Sequence, residues 1–369
     1  MNRSAAPRQP LPRRAALRAR YAWDQHPRLA ALRTRTDALR APFRALTPLD
    51  APLRLAYSGV PEGRLHLLPF LEGQGVPAAP LATFPLHTPA PDLLIRGVRT
   101  VPDPSPASVL MPFRVRLAVS LESGWRQRIS RRERRAFAAN QRENGWSWQE
   151  SRDPADFDFF YRRMHLPTMR QRHGESTRSA APDLAYECLF RRGVLFFLVQ
   201  DGQRVAGVLC ALPPGERRLT MRLLGVLDGA PEHYASGAVK ALTHFALEWA
   251  AERGFAEVDL SGSEPFLSKG IFQFKQRFHP VCSLPLDHFG RKRAVLRVLR
   301  DSPRVRDFLV ANPLLTIPAS GDGFEAVYFH DGARPARTAQ LAWQCPGVER
   351  AVEVDLDAFL ASVPERATA

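Results

Sequence analysis

Gly193-Val-Leu-Phe-Phe-Leu-Val-Gln-Asp-Gly-Gln-Arg-Val-Ala-Gly-Val-Leu-Cys-Ala-Leu212 is the stretch on which the fold turns. Val194–Val199 is an apolar run of strand length, Asp201-Gly202 is a turn pair, and Arg204–Leu212 returns as the second arm of a hairpin. Pro213-Pro214-Gly215 sends the chain into a third strand, Leu219–Val226. The period then changes from two to 3.6. Val239, Leu242, Phe245, Ala246 and Trp249 share one face of a helix running from about Ala235 to Arg253, and Gly254 stands where a helix stop belongs. Phe255–Leu260 reads as a further strand. An antiparallel meander thus leads into strand–helix–strand, and that last unit joins parallel strands by a right-handed crossover. The fold class is α/β (α+β), with mixed, mainly antiparallel sheets flanked by helices.

Upstream, strands are expected at Leu53–Tyr57, Leu65–Phe70, Leu93–Val101 and Phe113–Val119, the last with a clean alternation of Phe113, Val115, Leu117 and Val119. A helix follows, with Ser120 as its cap, Trp125 and Ile129 opening its apolar side, and Gly145 ending it. A second starts after Asp153-Pro154, where Phe157, Phe160, Tyr161 and Met164 form one buried face and Pro167 limits the run. Downstream, a strand at Glu325–His330 and a helix near Asp355–Ala361 are expected. The length of 369 residues suits two domains with tails. The division expected is a basic, partly helical arm at 1–50, subdomains at 51–150 and 151–290, and a C-terminal extension of unknown role at 291–369.

The net charge of +15 is concentrated. Residues 1–50 hold eleven Arg against three Asp, and Arg126–Arg142 holds seven Arg against one Glu, which leaves a net +1 for the rest. Two basic patches on a nearly neutral body suit an anionic small molecule, a nucleotide-linked precursor, tRNA, or peripheral contact with an anionic membrane through Arg126–Arg142. Of 52 basic residues only Lys240, Lys269, Lys275 and Lys292 are lysine. Two of these lie six residues apart, where a compact ammonium does what a planar guanidinium does not. No apolar run is long enough to span a bilayer and the Arg-rich N-terminal residues lack an apolar h-region, so a cytoplasmic location is expected. Cys188, Cys210, Cys282 and Cys345 are scattered, which suggests buried thiols and no metal site. His165 and His173 have no Ser or Cys placed to form a triad and read as surface histidines.

Three motifs in order resemble those of the FemAB-like branch of the GNAT acyltransferases. They are the Arg-rich helix Ile129–Gly145, the region Asp156–Arg163 with Met169–Gly174, and the pair Val258-Asp-Leu-Ser-Gly-Ser-Glu-Pro265 and Gly270-Ile-Phe-Gln-Phe-Lys-Gln-Arg-Phe278. They cover about residues 100–290. The resemblance implies two GNAT-like subdomains, the second carrying the site, and a bacterial enzyme that transfers an acyl group to an amine of a cell-envelope or polysaccharide precursor. The donor it implies is acyl-CoA or, alternatively, aminoacyl-tRNA; a non-catalytic RNA-binding or scaffold protein is the reading from another class. Two departures stand out. The acetyl-CoA loop is replaced by His233-Tyr-Ala-Ser-Gly-Ala238, and the glycine after the F-K-x-x-F motif is His279, followed by Pro280.

Lys275 matches the family lysine and is the expected source of positive charge at the acyl oxyanion, with Phe272, Phe274 and Phe278 excluding water about it. Lys269 and Arg277 are candidate phosphate contacts. Ser261 and Ser263 follow the end of a parallel strand, where ligands gather, and are candidate substrate hydrogen bonders. Asp259 is a candidate base for the amine, or else a cap or ion-pair partner. Arg222, inside a strand, is a candidate clamp for a substrate carboxylate or phosphate. Tyr234, Ser236 and Gly237 are the candidate donor-binding residues, through N–H groups at a helix start.

Overall fold

The computed structural model describes residues 11–40, 43–47, 52–63, 91–98, 106–173, 179–318 and 323–364. The expected strand Leu65–Phe70 lies outside them, as do Val101 and Gly174. Two compact units emerge, one of residues 1–23, 117–261 and 277–281, the other of 24–116, 262–276 and 282–369. Among the described residues no helix is long and apolar enough to cross a membrane.

The first unit carries strands β1 (Val115–Ser120), β2 (Ser147–Ser151), β3 (Gly193–Gln200), β4 (Gln203–Ala211), β5 (Arg218–Val226) and β6 (Glu257–Ser263), which neighbour one another in the order β1-β6-β5-β4-β3-β2. The pairs β2–β3, β3–β4 and β4–β5 are antiparallel and β5–β6 is parallel, so the meander and the crossover read from the sequence are both present. Asp201 and Gly202 have φ of 50° and 75°, the left-handed pair of a two-residue hairpin. Helices α1 (Leu11–Gln25), α2 (Arg131–Asn144), α3 (Pro154–Phe159), α4 (Leu166–His173) and α5 (Ala238–Glu252) complete the unit. The core face of α3 and its continuation holds Phe157, Phe160, Tyr161 and Met164 against Leu195, Phe197, Leu209 and Leu223, each large side chain stabilising by about 1.5–3 kcal/mol.

Three boundaries differ from expectation. The cap of α2 is Ser130, whose hydroxyl accepts from Glu133 N at 3.2 Å, because the chain bends at Ile129; Ser120 instead accepts from Glu122 N. Pro167 does not end its helix. The chain passes it through a π-helical segment, Phe160–His165, in which Leu166 N–H reaches the Tyr161 carbonyl. The long helix expected from Ala235 is broken at Gly237, φ 90°, and α5 starts after it; Gly254, φ 73°, follows its end as expected.

The second unit has a five-stranded mixed sheet in the order Phe43–Leu46, Leu55–Gly59, Leu93–Val98, Arg293–Val298, Ser108–Pro112 and a three-stranded sheet of Leu314–Thr316, Phe324–His330 and Val348–Asp355. Residues 291–369 thus supply Arg293–Val298, bonded on both sides, to Leu93–Val98 and to Ser108–Pro112. One apolar cluster, including Leu55, Leu93, Met111, Phe266, Leu296 and Phe329, fills this unit. All four cysteines are buried and free.

Candidate functional site

In the first unit the parallel ladder is short. It joins Glu257 to Arg218, Val258 to Leu219 and Asp259 to Thr220, while β5 runs on to Val226. The reason lies on both strands. On β5, Arg222 is skipped in the β4 register, which passes from Leu209–Leu223 to Cys210–Met221; it is the extra residue of a bulge, which twists and re-aims its strand. On β6, Ser261 adopts φ 65°, a conformation uncommon for a residue with a side chain. The Asp259 carboxylate holds that turn by accepting from Ser261 N at 2.8 Å, and the Ser261 hydroxyl donates to the Met221 carbonyl at 2.5 Å. Asp259 and Ser261 therefore shape the point where the strands part, and Arg222 packs over the Tyr21 ring at 5.9 Å.

Beyond that point other residues of the unit engage β5. His165 Nδ1 lies 2.9 Å from the Leu224 carbonyl, and Thr168 Oγ1 accepts from Val226 N at 2.9 Å. His165 is thus no surface histidine: it is 2% exposed. Burial holds its imidazole below the ordinary value, with the Leu224 bond opposing. The helix start proposed for the donor is also engaged. Ser236 N donates to Glu232 O and Gly237 N to Tyr234 O, and Asn140 Nδ2 donates to Ser236 O at 2.8 Å. Tyr234 is part-buried beneath the Arg172 guanidinium, 4.3 Å from its ring centre, and burial raises its phenol above the usual value.

A cluster missed in the sequence lies close by. Glu133, in the first turn of the Arg-rich helix, is 2% exposed. Its Oε2 accepts from Lys240 Nζ at 2.8 Å and lies 4.0 Å from Arg277 Nη1, and its Oε1 is 3.7 Å from His244 Nε2. The rings of Phe137 and His244 stack at 4.1 Å. Burial pushes the Glu133 carboxyl up, yet Lys240 and His244 outweigh it and hold the group below its ordinary value. A depressed carboxylate contributes stability that is present above the usual glutamate range and is lost as pH falls through the depressed value. Stability followed from pH 7 down through that window should fall more steeply for the parent than for Glu133→Gln; identical slopes would remove Glu133 from the acid response. The scarcity of lysine was the available signal, since Lys240 is one of only four.

His279 has φ 54°, so histidine occupies a left-handed position that glycine adopts freely.

In the second unit, Lys275 lies on the Gly270–Gln276 helix, is 6% exposed, and donates from Nζ to the Gly262 carbonyl at 2.9 Å. That helix is firmly mounted. Gln273 Nε2 donates to Leu267 O and Ala342 O, and Gln276 Nε2 to Gln344 O. Phe272 is fully buried and Phe274 partly so, and the Lys269 carbonyl accepts the first helix bond, from Phe272 N at 2.9 Å. Ser263 is 1% exposed and its hydroxyl has no hydrogen-bond partner among the described residues, which is costly unless a ligand or water supplies one. A Cβ at Gly262 would stand 3.0 Å from Val115 O and 3.3 Å from Arg114 Nη2, a tight fit. No group of three or more His, Cys, Asp or Glu able to hold a metal occurs among the described residues.

Residues 123–276 match the family described as "Acetyltransferase (GNAT) domain". No curated protein matches the chain. Among solved structures, the chain is similar to FemX at 11% identity, covering 75% of this chain and 92% of that one with a TM-score of 0.41. It is similar to L-PGS from Bacillus licheniformis at 14% identity, covering 70% and 81% with a TM-score of 0.37.

Proposed function

We propose that this chain, which carries a GNAT acetyltransferase domain at residues 123–276, is an N-acyltransferase acting on an amine of an anionic envelope or polysaccharide precursor. The observation that carries the reading is the parting of β5 and β6 after Asp259–Thr220 within that domain. Parallel strands that separate leave backbone groups outside the ladder at the carboxyl end of a sheet, where open α/β sheets bind ligands. In the reaction the neutral amine attacks the acyl carbonyl, the C–N bond forms, the bond to the donor's sulfur or oxygen breaks, and the amine proton ends on that departing atom. Lys275 supplies the positive charge the oxyanion requires; its burial and its bond to Gly262 support that role.

The donor in the leading form is a CoA thioester. A second form, with an aminoacyl ester of tRNA as donor, is favoured by a specific observation. The N–H groups of Ser236 and Gly237 are already donated within the chain, and Leu224 O and Val226 N of β5 are engaged by His165 and Thr168. A CoA pyrophosphate seeks helix-start N–H groups, and an amide-bearing arm pairs with a strand edge; these four groups are already engaged. Native mass spectrometry of the full chain with acetyl-CoA, longer acyl-CoAs and charged tRNA separates the two forms. Lys275→Ala is expected to lower the transfer rate about 100-fold or more with donor binding retained. Full activity in that variant removes Lys275 from the reaction.

A further inference from the structure

We propose that the cavity between α2 and the first turn of α5 is a binding site for a phosphate group carried on a nucleotide or on an RNA backbone. The cavity measures about 240 Å³ and is lined by Ser130, Arg132, Glu133, Ala136, Lys240 and Arg277. Three cations converge on it from separate stretches of chain, and one buried carboxylate lies at its base. Glu133 neutralises one positive charge by its 2.8 Å bond to Lys240 and lies 4.0 Å from Arg277, which leaves two positive charges in excess. Arg132 is exposed and has no ion pair or hydrogen bond among the described residues, and the Arg277 side chain is 49% exposed.

The build favours phosphate over other anions. A carboxylate offers two oxygens in one plane, matched by a single guanidinium. A terminal phosphate offers three free oxygens and a backbone phosphodiester two, spread tetrahedrally, which suits one ammonium and two guanidinium groups arriving from different directions. The buried Glu133 gives the site its order: by fixing Lys240 before any ligand arrives, it reduces the side-chain freedom lost on binding. Ser130 is tied down at the rim, its hydroxyl accepting from Glu133 N and its N–H donating to Arg277 O. The cavity is separate from Tyr234, Ser236 and Gly237, whose backbone groups serve the chain itself. The inference rests on the acyl-transfer reading only for what carries the phosphate.

Binding is read without turnover, so failure of this site and failure of that reading appear separately. The full chain is titrated by calorimetry with adenosine 3′,5′-bisphosphate, with pyrophosphate and with a short single-stranded RNA. The variants are Arg132→Ala/Arg277→Ala and, as a control of equal exposure outside the cavity, Arg142→Ala. Both cavity arginines are solvent-facing, so the double variant should melt as the parent does. The expected result is a loss on the order of tenfold or more in affinity for at least one probe in the double variant, with less than about a twofold change in the control. Loss for the nucleotide assigns the site to a small-molecule carrier, and loss for RNA alone assigns it to the RNA backbone. Equal losses in Arg142→Ala, or no binding of any probe to the parent, overturn the proposal.

Discussion

Lys240→Met is expected to lower the unfolding free energy by about 3 kcal/mol, the lower end of the cost of breaking a buried ion pair. The Glu133 side chain is 2% exposed, and Lys240, itself 27% exposed, donates to it at 2.8 Å. Methionine preserves most of the packing volume while removing the charge, so the loss reports a carboxylate left buried. His244 at 3.7 Å and Arg277 at 4.0 Å offset part of the cost, which places the effect at the lower end. The discriminating variant is Lys240→Met with Glu133→Leu. Replacing both partners by apolar groups is often close to neutral, so the double variant should recover most of the loss in urea unfolding. If both variants are equally destabilised, the pair is not the cause.

Gly225→Ala is expected to cost about 3 kcal/mol, at the upper end of the usual cost of overpacking. A Cβ at this position would stand 2.4 Å from the Met164 carbonyl carbon and 2.5 Å from His165 N. Those are backbone atoms and cannot swing aside as a flexible side chain would. To make room the π-helical segment must lift from β5, and with it go the bonds from His165 to Leu224 and from Thr168 to Val226. Each neutral bond contributes about 0.5–1.5 kcal/mol. Thermal melts should fall by roughly 2–4 °C per kcal/mol for a unit of this size. An alanine variant melting within a degree of the parent would mean that this close approach is absent in solution.

These two sites mark where the sequence was legible and where it was not. The hairpin was readable because Asp201-Gly202 has few other conformations open to it, and the end of α5 because Gly254 follows an unbroken apolar face. The parallel crossover followed from element order alone. His165 was read as a surface histidine for want of a Ser or Cys partner, although it stands eight residues after Phe157 and four after Tyr161, on the face that is buried. The break at Gly237 was hidden because Ala235 and Ala238 are both good helix formers on either side of it. The Glu133 cluster was illegible for another reason: its members stand at positions 133, 240, 244 and 277, and only tertiary structure joins them. The bulge at Arg222 leaves no mark in a strand pattern of ordinary residues. Within the segment from Ser261 to Phe278, the motif drew attention to Lys275, while the roles of Asp259 and Ser261 in shaping a turn came from a positive φ that residue type did not announce.

The most direct test of the account is whether the purified full chain makes an amide bond. Each of two labelled donors, an acyl-CoA and an aminoacyl-tRNA, is incubated with the chain and an amine-bearing, phosphorylated envelope precursor, and products are weighed by mass spectrometry. The expected result is a new product heavier by the acyl group, formed from one donor, and suppressed about 100-fold by Lys275→Ala. Absence of an amide product from both donors, or an equal rate in the Lys275→Ala variant, would contradict it.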